Sequence, residues 1–102
     1  MTVTETPAFT RAALALIGEE SLFELKIELI TNPDAGDVIP GQKGLRKLRW
    51  AAKGKGKRGG ARVIYFYVLE PEGVQLLAIY AKNSQSDLSA AEYRKLQNDL
   101  ES

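Results

Sequence analysis

The stretch RVIYFYVLEPEGVQLLAIYA, residues 62–81, decides the fold. Val63, Ile64, Tyr65, Phe66, Tyr67 and Val68 form an unbroken run of β-branched and aromatic residues, the types that favour a pleated, buried surface. Residues 74–81 repeat that character, and Glu70-Pro-Glu-Gly73 between them reads as a hairpin turn. Upstream, residues 45–51 alternate. Arg46, Leu48 and Trp50 share one face of a strand, and Leu45, Lys47 and Arg49 share the other. Three strands in succession predict an antiparallel meander.

Helices flank it. Thr6 and Pro7 have the order of a cap and a first helical residue, and Phe9, Ala12, Ala13 and Leu16 keep helical spacing until Gly18. In residues 19–31 the alternation of Leu25, Ile27 and Leu29 with Lys26 and Glu28 fits a strand. The helix formers and the apolar arc from Leu22 and Phe23 to Ile30 favour a helix, stopped at Asn32-Pro33. Residues 32–44, punctuated by Pro33, Gly36, Pro40, Gly41 and Gly44, are expected to form a loop. Thr2, Val3 and Thr4 permit a short first strand. At the other end Ser89 and Glu92 have capping-box spacing, Leu88 and Tyr93 stand at staple positions, and Leu96 and Leu100 continue the stripe. The order β-α-α-β-β-β-α predicts one α+β domain over residues 1–102, with a mainly antiparallel four-stranded sheet and helices against one face.

Charge is distributed unevenly. Nine basic residues and no acids fall within residues 41–67, whereas residues 1–40 carry seven acids and two bases and residues 68–102 six and three. A cationic centre between acidic flanks suits a polyanion such as a nucleic-acid backbone. The chain has no cysteine and no histidine, which excludes disulfides, thiol catalysis, Ser–His nucleophiles and His-ligated metals. No apolar run approaches the ~20 residues of a membrane span, and the first ten residues lack a signal-peptide pattern, so a cytoplasmic protein is expected.

With Leu48 and Trp50 in the core, Lys47 and Arg49 project together from the opposite face. Arg62 opens the neighbouring strand and Lys82 follows the third, so four cations are expected on one sheet surface. Lys53, Lys55, Lys57 and Arg58 lie on the adjoining loop, and Arg46 adds a further RNA-binding cation. Such a cluster would hold phosphates and stabilise charge on a pentacoordinate phosphorus. A solvated basic face without chemistry is the simpler alternative. The glycine–lysine loop departs from a Walker loop, because no Gly-Lys-Ser/Thr follows at the right spacing. Its glycines would let the backbone approach an anion, or leave it merely solvated. Tyr80 is a candidate to stack on a base. Tyr65 and Tyr67 alternate away from Arg62, and Trp50 reads as core. Asp87 reads as helix-start chemistry.

Several ordered blocks now form a recognisable set: NPDAGDVIPG from Asn32, GLRKLRW from Gly44, KRGGARVIY from Lys57, IYAK from Ile79 and DLS from Asp87. Together they resemble the RelE/HigB toxins of bacterial type II toxin–antitoxin modules, the HigB-like branch above all. The resemblance implies a metal-independent mRNA endoribonuclease that cuts messages on the translating ribosome, without a cofactor. It also implies neutralisation by a cognate antitoxin, commonly a helix-turn-helix protein through which alone the toxin meets promoter DNA. Catalytic roles fall on Lys47, Arg49, Arg62 and Lys82. Attack of a ribose 2′-OH on the adjacent phosphorus would use the arginines as phosphate clamps and Lys47 or Lys82 as proton acceptor. Tyr93 is expected to pack rather than react. The related ParE toxins share the architecture and act by binding DNA gyrase, which leaves that function, and a harmless RNA-binding module, as alternatives.

Overall fold

The computed structural model describes residues 1–52 and 60–101. Its elements are β1 (Thr2–Glu5), α1 (Pro7–Leu16), α2 (Gly18–Thr31), β2 (Asp37–Val38), β3 (Leu45–Trp50), β4 (Ala61–Leu69), β5 (Glu72–Ala81) and α3 (Ala90–Glu101). The sheet has five strands, ordered β1-β5-β4-β3-β2, rather than the expected four. The additional strand lies within the stretch expected to be loop, where Asp37 and Val38 pair with Lys47 and Arg46. A pair two residues long has no periodicity for a sequence to display. β1 runs parallel to β5, with Val3 opposite Val74, and the other pairings are antiparallel.

Helices cover both faces of the sheet, which corrects the expectation of a single helical face. On one side Phe9 and Ala13 of α1 and Leu22, Leu25 and Leu29 of α2 bury against Val63, Tyr65, Leu76 and Ile79, with Leu48 and Trp50 at the margin. On the other, Tyr93 and Leu96 of α3 close over Leu45, Ile64, Leu77 and Tyr80. Val63 and Ile64 are chain neighbours in different cores, as the pleat requires. Being covered on both sides, β4 reads as a continuous apolar run. No helix among the described residues is long and apolar enough to cross a membrane.

One irregularity positions the site. Ile64 faces Ala78, whereas Tyr65 faces Leu76, so Leu77 is the extra residue of a β-bulge. Beyond the bulge the sidedness of β5 reverses. Ile79 therefore joins the α1–α2 core, and Tyr80 lies opposite Arg62 on the α3 face.

The helix starts form as the sequence indicates. Thr6 Oγ1 accepts from the Phe9 amide at 3.0 Å. Ser89 and Glu92 form the reciprocal box, the Glu92 amide donating to Ser89 Oγ at 3.1 Å and the Ser89 amide to Glu92 Oε1 at 2.8 Å. Thr6→Ala leaves an amide of the first turn without its acceptor and should cost about 1 kcal/mol, read as a lower midpoint in urea denaturation at constant slope.

Candidate functional site

The β3–β4 register sets Arg49 directly opposite Arg62 and Lys47 opposite Ile64. These positions alternate with Leu48 and Trp50, which face the α1–α2 core, so the cations share the α3 face. Lys47, Arg49 and Arg62 line one open pocket of about 540 Å³ together with Ala35 and residues 37–40, among which Asp37 contributes an acid. Like charges directly opposite on an antiparallel pair repel. Arg62 is only 9% exposed, and its Nη1 donates to the Ala61 carbonyl at 3.3 Å. Among the described residues no carboxylate lies within ion-pair distance of either guanidinium. This arrangement leaves positive charge that an anion in the pocket would neutralise.

Lys47 is held differently. Its Nζ donates to Asp87 Oδ1 at 3.0 Å, across 40 residues of chain. The same oxygen accepts from the Tyr93 hydroxyl at 2.5 Å and the Leu88 amide at 2.8 Å. The Tyr93 bond, followed by those from Lys47 and Leu88 and opposed by burial, holds the Asp87 carboxyl below its usual range. Burial and the adjacent carboxylate push the Tyr93 phenol upward. Tyr93 thus packs as expected, but its hydroxyl also ties α3 to the site through Asp87. That linkage and the pocket acid Asp37 escaped the sequence reading. Nothing local to Asp87 shows that its carboxylate reaches β3.

Because Asp87 titrates lower in the folded chain than in the unfolded one, its stabilisation is complete above the ordinary carboxyl value of 3.8 and fades as pH falls through the folded value. Asp87→Asn should therefore melt on the order of a few degrees below the parent at pH 7. The gap should narrow as pH is lowered beneath about 4. A gap that stayed constant with pH would assign the loss to something other than this carboxylate.

The remaining expected residues separate. Lys82 follows the end of β5, half-buried, with its amide donating to the Gly60 carbonyl at 2.9 Å. It stands two residues past Tyr80, outside the pocket lining. Tyr80 is 5% exposed and its ring lies in the α3 core, so it offers no face for a base, correcting the stacking assignment. Its hydroxyl is buried without a hydrogen-bond partner among the described residues. Burial raises its pKa, which the nearby Lys47 opposes. Arg46 is likewise reassigned. It lies on the opposite face, where its Nη1 donates to the Gly36 carbonyl at 2.8 Å and holds the 34–36 loop. Tyr65 clamps that loop too, accepting from the Gly36 amide at 2.8 Å and donating to the Pro33 carbonyl at 2.7 Å. Tyr67 donates to Glu72 Oε2 at 2.7 Å, and Trp50 Nε1 to Ser21 Oγ at 2.8 Å. Lys53, Lys55, Lys57 and Arg58 lie outside the described residues.

No protein-family model matches the chain. Among solved structures it is similar to a variant of the E. coli toxin RelE in the free state that carries two arginine-to-alanine substitutions. The TM-score is 0.63 at 14% identity, over 96% of this chain and 95% of that one. The isolated E. coli RelE toxin in a P21 crystal form gives 0.60 at 14% identity, over 95% of this chain and 96% of that one. Agreement over nearly the full length of both chains shows that this one has the RelE fold.

Proposed function

We propose that the chain is the toxin of a type II toxin–antitoxin module, of the HigB-like branch, and that it cleaves mRNA on the translating ribosome. The observation that carries this reading is the facing pair Arg49 and Arg62, set in an open pocket beside Lys47, with neither guanidinium within ion-pair distance of a carboxylate among the described residues. The RelE fold supports it.

In the proposed reaction the ribose 2′-oxygen attacks the adjacent phosphorus, its proton passes to an acceptor, and the 5′-oxygen leaves and takes up a proton. The two guanidiniums bind the non-bridging oxygens as charge builds on them, a task suited to a planar fork of N–H donors. Lys47 is engaged as the cation of an ion pair with Asp87, so it serves as a fixed charge and not as the proton acceptor. Lys82 is left as the candidate for that step, which requires the bound RNA to extend past the pocket lining toward the end of β5. No metal enters the reaction. A cognate antitoxin, of helix-turn-helix type, neutralises the chain and brings it to promoter DNA.

The test is induction of the chain followed by primer extension on a reporter mRNA. Codon-spaced cuts that vanish when translation is blocked are the expected result. Intact mRNA together with a DNA-damage response would transfer the chain to the gyrase-binding class, and harmless expression with salt-sensitive RNA binding would leave it a passive module.

A further inference from the structure

Helix α2 (Gly18–Thr31) is apolar on two sides. Leu22, Leu25 and Leu29 are buried in the core. Phe23, Ile27 and Ile30 are 64%, 48% and 45% exposed. The spacing i, i+4, i+7 brings these three into one stripe along the outer surface. Isolated exposed apolar residues are ordinary, but a phenylalanine and two isoleucines in register along one helix form a contiguous patch, the kind that marks an interaction site. Glu20 and Glu24 border the stripe on one side, Glu19 stands at its start, and all three are exposed.

The charge selects the occupant. A nucleic acid is repelled by the glutamates. A second copy meeting the stripe with the two α2 helices antiparallel would set the Glu20–Glu24 border against its own counterpart, and Lys26 on the opposite border is already ion-paired with Glu5. The chain's own basic stretch at residues 53–59 consists of glycine, lysine and arginine and has no apolar side chain to cover Phe23. We infer that the outer face of α2 is a docking surface for an amphipathic helix of a protein partner, with an apolar ridge to meet Phe23, Ile27 and Ile30 and lysines or arginines to meet Glu20 and Glu24. Because α2 packs on the sheet face opposite to Arg49 and Arg62, a helix seated there leaves the cationic pocket open. The docking surface itself does not depend on RNA cleavage.

The test uses the isotope-labelled full chain and two synthetic helices of about 18 residues, five turns each. Both carry the same leucine ridge, one bordered by lysine and the other by glutamate. The lysine-bordered helix should bind saturably and shift the amide resonances of Phe23, Ile27 and Ile30. Phe23→Ser and Ile27→Ser should each weaken it roughly tenfold or more, while melting temperature and RNA cleavage stay at the parent's level. Glu20→Gln with Glu24→Gln should erase the preference for lysine borders. Equal binding of the two helices, shifts centred elsewhere, or no effect of Phe23→Ser would overturn the assignment. So would a concentration-dependent dimer abolished by Phe23→Ser, which would give the surface to a second copy. A chain that bound as expected but left RNA intact would keep the docking surface and refute the nuclease.

Discussion

Arg62→Ala is expected to lower RNA cleavage by about 100- to 1,000-fold, the usual loss when one donor to a developing oxyanion is removed, and to abolish growth arrest while the chain stays folded. Arg62 stands between Arg49 on β3 and Tyr80 on β5, at the centre of the row that crosses the site. Its removal also relieves the repulsion from Arg49, so urea denaturation should show stability equal to or above the parent's. Arg62→Lys supplies a charge without the planar fork and should recover only part of the rate. The useful comparison is therefore activity against stability in the same variant. A folded Arg62→Ala chain as toxic as the parent would remove the pocket from the mechanism.

Tyr65→Ala should be the most destabilising change near the site, at about 4 kcal/mol, within the range for truncating a fully buried aromatic. The side chain is wholly buried, and its hydroxyl bonds both Pro33 and Gly36. Truncation opens a cavity in the α1–α2 core and leaves the buried Gly36 amide without its acceptor. Tyr65→Phe separates the two effects. It keeps the ring and loses only the hydroxyl, for about 1–2 kcal/mol. Cleavage should nonetheless fall in Tyr65→Phe, because the 33–36 loop leads into the wall that faces Lys47 and Arg49. Space here is restricted. A Cβ on Gly36 would lie 2.8 Å from the Tyr65 ring and 2.9 Å from the Lys47 carbonyl. If Tyr65→Phe matched the parent in both stability and rate, the loop would owe its position to something other than this hydroxyl.

How far the sequence is legible follows from where each signal resides. α1, α2, α3 and the three long strands announce themselves through caps, periodicity and composition, which are local. The grouping of Lys47 and Arg49 away from Leu48 and Trp50 follows from the pleat alone. Their proximity to Arg62 needed only the meander. What stayed hidden is non-local. β2 is too short to show a period, and its pairing depends on Tyr65 and Arg46 gripping residues 33–36 from another part of the chain. The bulge at Leu77 has no marker, since leucine is equally at home in either core, yet it decides that Tyr80 faces Arg62. The placement of α3 on the second face was hidden for a related reason. β4 is apolar on both sides, and its composition reveals double coverage without naming the covering helix. Arg46 was misassigned because a guanidinium that holds a backbone carbonyl and one that awaits a phosphate are the same residue type.

The parallel pairing of β1 with β5 sets an order of events during synthesis. Thr2–Glu5 joins the sheet only against residues 73–76, made roughly seventy positions later, and closing so long a chain segment carries an entropic penalty that the local β3–β5 hairpins avoid. A strand made before the meander thus waits for a partner made well after it. Until then one edge of β5 stays open, and a cell making this protein has an interval in which the polypeptide exists without its finished architecture.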